Sequence, residues 1–266
     1  MRMIVGIPNY NGSKSLMKLI PQLSDEDFDK IFVLDDASTD NSLEYLYEFS
    51  DRDVEIIEGN KNVGPGANRN RILPFVEDDD IIMFIDADME LQTRNVKSII
   101  TGLFEANPHT GMISGGILNK KGKPMPFNYG LDRSTVSDVI GYFFNYLATV
   151  LHFRFLIAPI RRLARRFTLN VEISHYPPEE RRVDWAAEGH FYIRGSLFKE
   201  LKGYDERLQY HEGIDLARRV RAEGYNILFN PSVWAKHLEV IVRDEHKLRE
   251  HFKAKAIEKE KKSDPE

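Results

Sequence analysis

The 266-residue sequence contains no cysteine. Disulfides, thiolate-bound metals and cysteine nucleophiles are therefore excluded, and a reducing compartment is permitted. It also lacks a basic excess, with a formal net charge of −5. A general nucleic-acid binder needs the opposite field to neutralise phosphates, so no nucleic-acid partner is expected. No apolar run reaches the ~20 residues that span a bilayer. The opening "MRMIVGIPNYNG" enters a strand pattern at once and shows no signal-peptide layout. A cytoplasmic protein is expected. Missing too is a G-x-G-x-x-G turn after the first strand pattern, where "IPNYNGSKS" stands instead. That excludes a Rossmann-type dinucleotide site and counts against a nucleotidyltransferase, which would want a glycine-rich phosphate loop there.

What is present suits a soluble α/β protein. A hydrophobic fraction of 42% allows a large core. Strand patterns at Met3–Ile7, Lys30–Leu34, Val54–Ile57, Ile81–Ile85 and Gly111–Leu118 alternate with helical patterns at Ser13–Leu23, Ser42–Phe49, Ala67–Val76 and Arg94–Asn107. This alternation predicts a mostly parallel central sheet with helices on both faces. The apolar runs are continuous, as in strands buried on both sides. In such sheets the ligand crevice lies beyond the carboxyl ends of the strands. The polar segments "PNYN", "DDASTDNS" and "DAD" fall there.

Asp86 and Asp88 end the apolar run "IIMFI". Residues two apart on an extended chain point the same way, so both carboxylates can face one crevice. Hard anionic oxygens invite Mg²⁺ or Mn²⁺; the alternative is that they cap the next helix or solvate a strand end. Asp35 and Asp36 end the second strand pattern, where an acid can bind a ribose hydroxyl or a base N–H. Alternatively the segment forms an Asx or Ser/Thr turn with Thr39, Asp40 or Asn41 capping a helix, and both can hold together, with Asp40–Ser42 capping and the first two carboxylates free for a ligand. In "NKNVGPGANRNRI", Arg69 and Arg71 open a helix after the third strand. An arginine near a helix N-terminus suits a phosphate partner, though one of the two could be a solvated face.

The second half predicts a Gly/Pro-rich loop, "KKGKPMPFNYG", and a stretch Val139–Phe167 with no acid between Asp138 and Glu172. Arg161, Arg162, Arg165 and Arg166 make that stretch basic as well as apolar. Such an element suits an anionic membrane surface, or else a cover over an acceptor site or a subunit interface. Trp185–His237 predicts strand, short helix, loop, a helix from about Ile214, and two short strands. From Asp244 a Leu248/Phe252/Ala256 stripe predicts a surface helix.

In sequence order, "IPNYNG", "LDDASTDNS", "NVGPGANRN", "DAD", "VDWAAEGHFYIRGSLFKELKGYDERL", "HEGIDLARRVRAEGY" and "VWAKH" resemble the motifs of the family 2 glycosyltransferases, enzymes of the GT-A fold. The likeness runs from about Met3 to His237, with Asn68 where alanine is usual. It implies a nucleotide-sugar-binding half over residues 1–118 and an acceptor-binding half of the same domain over 119–238, with the amphipathic insertion at 139–167 and a helical tail at 239–266. Pro8, Tyr10, Asn11 and Asp36 would surround the nucleotide, with Asp35 nearby. Arg69 would lie near the diphosphate and Asp86 near the ribose. Asp88 would hold Mn²⁺ or Mg²⁺, with His237 completing the metal site. Trp185, Glu188 and Gly189 would face the acceptor.

One position departs from the pattern. The family's E-D-x-D-L places the catalytic base directly after the glutamate, and here that residue is Gly213 in Glu212–Gly213–Ile214–Asp215–Leu216. Glu212 is the replacement expected, with Asp215 as a helix cap or second catalytic acid and Glu188 as an outside candidate. The implied reaction is metal-dependent, inverting transfer of a sugar from a nucleoside diphosphate donor, most often UDP, to a hydroxyl on a saccharide or lipid-linked acceptor. It would take place in the cytosol or peripherally at the inner face of the membrane, in surface polysaccharide or glycolipid synthesis. A non-catalytic nucleotide-sugar-binding or scaffold protein is the rival reading that Gly213 raises.

Overall fold

A computed structural model of the chain describes residues 1–48, 54–125, 128–130, 179–208 and 211–238. The expected insertion 139–167 and tail 239–266 lie outside the described residues.

The first half runs β1 (Met3–Asn9), α1 (Ser13–Ser24), β2 (Lys30–Asp35), α2 (Ser42–Tyr47), β3 (Val54–Glu58), α3 (Pro65–Arg69), a 3₁₀ turn (Asn70–Phe75), β4 (Ile81–Ile85), β5 (Met89–Leu91), α4 (Val96–Ala106) and β6 (Thr110–Leu118). The second half adds β7 (Tyr129–Gly130), β8 (Arg181–Val183), β9 (Trp185–Ala186), β10 (His190–Arg194), α5 (Gly195–Glu200), α6 (Glu212–Ala222) and β11 (Asn226–His237). The main sheet has the order β3-β2-β1-β4-β10-β6-β11-β5, with β8 beside β11.

Strand alternation divides the core into two layers. Val5, Ile7, Val33, Met83 and Ile85 face α1 and α4, meeting Leu16, Leu19, Ile20, Leu23, Ile100 and Phe104. The intervening Ile4, Phe32, Leu34, Ile82 and Phe84 face α5 and α6, meeting Phe198, Leu216, Ala217 and Val220. The period of two along each strand assigns the faces, and the 3/1/3 spacing in α1 gives it one apolar stripe. Helices therefore cover both faces, as expected.

The parallel pairing expected of the sheet holds for β3-β2-β1-β4. Beyond it, β10 is antiparallel to both β4 and β6, and β11 is parallel to β6 but antiparallel to β5 and β8. β10 starts where β4 stops, with His190 opposite Ile85. The chain enters β10 from the cleft end and runs back down, so no crossover is needed. This entry sets residues 187–189 beside the Asp86–Asp88 turn, and Gly189 O accepts a hydrogen bond from Asp86 N at 3.1 Å.

β5 (Met89–Leu91) has no counterpart among the expected strand patterns, and two further elements differ from the sequence expectation. The helix predicted over 67–76 begins at Pro65 and tightens to 3₁₀ geometry at Asn70, because Pro74 removes an amide and its ring crowds the carbonyl four residues back. The two short strands expected before His237 form one strand, β11, whose register breaks between Phe229 and Trp234 around Pro231. A proline within a sheet is tolerated at such a bulge.

At the end of the sheet away from the cleft, Asp80 ties the N-terminus down. Its two oxygens accept from Arg2 Nε at 2.6 Å and Nη2 at 2.7 Å, and Glu77 N donates to it at 2.8 Å. The Asp80 side chain is wholly buried, whereas Arg2 is about one-third exposed. Asp80→Ala is expected to cost about 2–3 kcal/mol, the range for stranding buried partners when one end of the pair still reaches water. Urea unfolding checks this, and a loss under 0.5 kcal/mol would show the pair to be dispensable.

Candidate active site

A cavity of about 420 Å³ opens at the carboxyl ends of β1, β2 and β4. β1 contributes Pro8 and Asn9, and the turn after it Tyr10 to Gly12. The α3 region contributes Gly64, Pro65, Asn68 and Arg69. The β4–β5 turn contributes Asp86 to Asp88, the β9–β10 loop Glu188, and the end of β11 His237. A larger groove of about 820 Å³ beside Asp25–Asp27 and α4 is lined by solvated charges, several of them paired, such as Arg94 with Glu26 and Lys97 with Asp29.

Tyr10 is half exposed at the cavity mouth, a ring face available for stacking on a planar base. Asn11 has φ 55°, a left-handed conformation that asparagine tolerates. Its Oδ1 accepts from Thr39 N at 2.7 Å and Asp40 N at 3.3 Å. Asn11 therefore lines the cavity while clasping the β2–α2 loop. Asp36 also lines it, and its carboxylate accepts from Val63 N at 3.0 Å, Gly64 N at 2.9 Å and Arg71 Nη2 at 3.2 Å. Asp35 differs from expectation. It is fully buried, accepts from Asn9 Nδ2 at 2.8 Å and from Ser38 N and Oγ at 2.9 and 2.6 Å, and stays out of the cavity lining. The Asx/Ser turn, weighed as the alternative, is what its geometry forms.

Arg69 sits at the back wall, 2% exposed. Its Nη2 donates to Asp86 Oδ1 at 2.6 Å, and its guanidinium lies 5.7 Å from the Tyr204 ring centre. Burial works against its charge, but Asp86, Tyr204, Glu188 and Glu212 together hold its pKa above the ordinary arginine value. Nε and Nη1 have no hydrogen-bond partner among the described residues, so the cation retains donors beside the cavity.

The carboxylates around Arg69 repel one another. Glu188 and Glu212 face each other closely enough to share a hydrogen bond. Burial, followed by the charge of Glu212, pushes the Glu188 carboxyl well above the usual range. Burial also raises Glu212, opposed by its own backbone N–H and by Arg69. Two adjacent carboxyls in a largely water-excluded site cannot both ionise cheaply, so the pair binds its proton more tightly than an exposed pair would.

Asp88 and His237, remote in sequence, meet through strand register. Met89 pairs with His237 across β5 and β11, Leu238 N donates to Asp88 O at 2.9 Å, and His237 Nε2 lies 3.4 Å from Asp88 Oδ2. A carboxylate oxygen and an imidazole nitrogen at that separation fit two neighbouring positions on one divalent cation with bonds of about 2.1–2.3 Å. Among the described residues the one tighter group of three acids is Glu77, Asp79 and Asp80. It stands at the opposite end of β4, where Asp80 is occupied by Arg2.

The remaining expected site residues lie outside the cavity lining. Glu212 is buried behind Glu188, against Gly66 and Tyr204. Asp215 is buried in the first turn of α6 and accepts from Arg219 Nε at 2.8 Å. Arg219 in turn donates to the carbonyls of Leu201 and Gly203, so this acid anchors α6 to the loop after α5. Trp185 packs against the second core layer. A Cβ on Gly189 would overlap Met89 Cε and come within 3.2 Å of Asp86 Oδ2, so this glycine serves close approach of the two loops. Arg71, offered by the sequence as a phosphate partner or a solvated face, instead clamps Asp36 and the Asp35 and Lys61 carbonyls, and Tyr204 beneath Arg69 was not anticipated. Tyr204 carries no spacing signal that marks it out.

Solved structures share this architecture. The chain superposes on S. aureus TarS residues 1–349 in complex with UDP-GlcNAc with a TM-score of 0.57 and 18% identity, over 90% of this chain and 60% of that one. It superposes on the mannosyltransferase PcManGT of Pyrobaculum calidifontis in complex with GDP-Man and Mn²⁺ with a TM-score of 0.60 and 17% identity, over 97% and 64%. GalNAc-T7 with UDP, GalNAc and Mn²⁺ gives a TM-score of 0.60 and 16% identity, over 89% and 44%. The chain thus spans less than two thirds of the length of these neighbours. No curated protein matches it. The expected GT-A fold is borne out by these neighbours. Residues 4–148, more than half of the chain, match the family described as glycosyl transferase family 2, and the protein belongs to that family of glycosyltransferases.

Proposed function

We propose that the enzyme transfers a sugar from a nucleoside diphosphate donor, UDP in first place and GDP or dTDP next, to a hydroxyl acceptor with inversion at the anomeric carbon. The observation that carries this reading is the convergence of Asp88 and His237 at 3.4 Å on the rim of a cavity that also holds Tyr10, Asp36 and Arg69. Tyr10 offers a stacking face, Asp36 sits where the base and ribose would lie, and Arg69 puts a buried positive charge at the diphosphate end. Asp88 and His237 would hold Mn²⁺ or Mg²⁺. When bound, that ion offsets the charge that grows on the departing diphosphate.

The acceptor is a saccharide or lipid-linked hydroxyl, reached through the β9–β10 side of the cavity. The neighbours bound to UDP-GlcNAc, GDP-Man and Mn²⁺ support the donor class. No helix among the described residues is long and apolar enough to cross a membrane. The peripheral contact at a cytoplasmic membrane face that the sequence suggests would fall on residues 139–167, outside the described residues.

Calorimetric titration of UDP, and then of GDP, tests the reading with Mn²⁺ present and with EDTA. Metal-dependent binding of either nucleotide is the expected result. Absence of binding by both, in a folded protein, would overturn it in favour of a scaffold role.

A further inference from the structure

Gly213 is a puzzle of local energetics. It lies in the first turn of α6, where glycine is among the weakest helix formers, and it needs no positive φ. The explanation lies across the loop. A Cβ at position 213 would overlap Oε1, Cδ and Cγ of Glu188, its three nearest heavy atoms. The Glu188 carboxyl therefore occupies the volume that a side chain at 213 would fill, and the glycine admits it. Of the three acids considered as base, Glu188 alone lines the cavity. Its Oε1 is shielded from solvent without a hydrogen-bond partner among the described residues, although the residue as a whole is only partly buried.

We propose that Glu188 is the acceptor-activating base of this enzyme, seated in the space vacated at Gly213, with Glu212 behind it as the positioning residue that faces its carboxyl. The proposal rests on the glycosyl-transfer reading above and supplies its missing catalytic group. In the step it serves, the acceptor O–H bond breaks and its proton passes to Glu188. The acceptor oxygen forms a bond to the anomeric carbon, and the anomeric C–O bond to phosphate breaks with its electron pair leaving on the diphosphate. Burial and the neighbouring Glu212 raise the pKa of Glu188, and a raised pKa makes its carboxylate a stronger proton acceptor. Arg69 and Asp86 are the other charged groups facing the pair, and Arg69 keeps an ionised form accessible.

The test uses the full chain and whichever of UDP-GlcNAc and GDP-mannose binds, reading nucleoside diphosphate release with water as acceptor beside calorimetric donor affinity. E188Q is expected to lower turnover at least 100-fold while donor affinity stays within threefold. G213A, which displaces the carboxyl, is expected to lower turnover at least tenfold in the Glu188 protein and to add nothing in the E188Q background. E188A/G213D returns a carboxylate to the same space from the helix side and is expected to recover at least tenfold over E188A. Turnover of E188Q within threefold of the parent, with donor still bound, would overturn the assignment. So would independent, multiplicative losses from E188Q and G213A. Failure of the parent to bind either donor would instead overturn the transfer reading itself, and this proposal with it.

Discussion

Asp88→Asn is expected to abolish metal-dependent nucleotide binding, weakening the Mn²⁺-supported affinity at least 100-fold and lowering sugar transfer by at least as much. The side chain keeps its size and can still hydrogen-bond, so the fold should survive. What it loses is the negative charge that a hard divalent cation requires. His237→Ala is expected to act in the same direction but less severely, because it removes a neutral ligand while the carboxylate remains. Titration with Mn²⁺ and with EDTA separates the two variants: in Asp88→Asn the curves should coincide. Parental affinity and metal dependence in Asp88→Asn would remove the metal from this pair of residues.

The second large effect concerns stability. Arg69→Met should destabilise the protein by about 3–5 kcal/mol at neutral pH, the range for removing one partner from a buried charge cluster. Methionine replaces much of the volume, so the loss reports charge rather than a cavity. Arg69 is 2% exposed and is the cation that Asp86, Glu188 and Glu212 share. The pH dependence has a definite sign. Glu188 and Glu212 titrate above their unfolded values, so folding binds their protons more tightly than the unfolded chain does. Their contribution is favourable below the unfolded pKa and is lost as pH rises through the raised folded pKa. Without Arg69 that rise becomes larger. The deficit of Arg69→Met should therefore be greatest at pH 8 and shrink as the pH is lowered toward 5. Urea unfolding of parent and variant at both pH values measures it. A deficit under 1 kcal/mol at pH 8 would show that the three carboxyls do not depend on this cation.

The contrast between Glu212 and Glu188 shows how far local reading reaches. Glu212 is the nearest acid in sequence to the missing aspartate and was the expected base. Sequence adjacency on a helix, however, turns a side chain by ~100° per residue, so a neighbour one position back approaches that space from another side. Here it lies against Gly66, outside the cavity lining, with its carboxyl facing Glu188. Glu188 is remote in sequence and reaches the same space from a loop. Asp35 makes a similar point. Its strand-end position suggested a ligand contact, but the Ser38 hydroxyl and amide and the Asn9 amide take both of its oxygens.

The sequence by itself determined the class of fold, the order of β1 to β4 and β6 and most of their boundaries, because continuous apolar runs and 3.6-residue periodicity are local signals that survive any tertiary arrangement; the three-residue β5 is too short to leave such a signal. It also determined that the polar segments of the first half gather at one sheet edge, since parallel strands share a direction. Only the tertiary structure decided that β10 enters antiparallel between β4 and β6, which brings Glu188 beside Asp86. Only it decided that the β5–β11 register sets His237 against Asp88, and that Gly213 makes room for a carboxyl from another element. These meetings depend on register and on the packing of a loop against a helix. They join residues far apart in the chain through contacts that leave no periodic trace in the sequence.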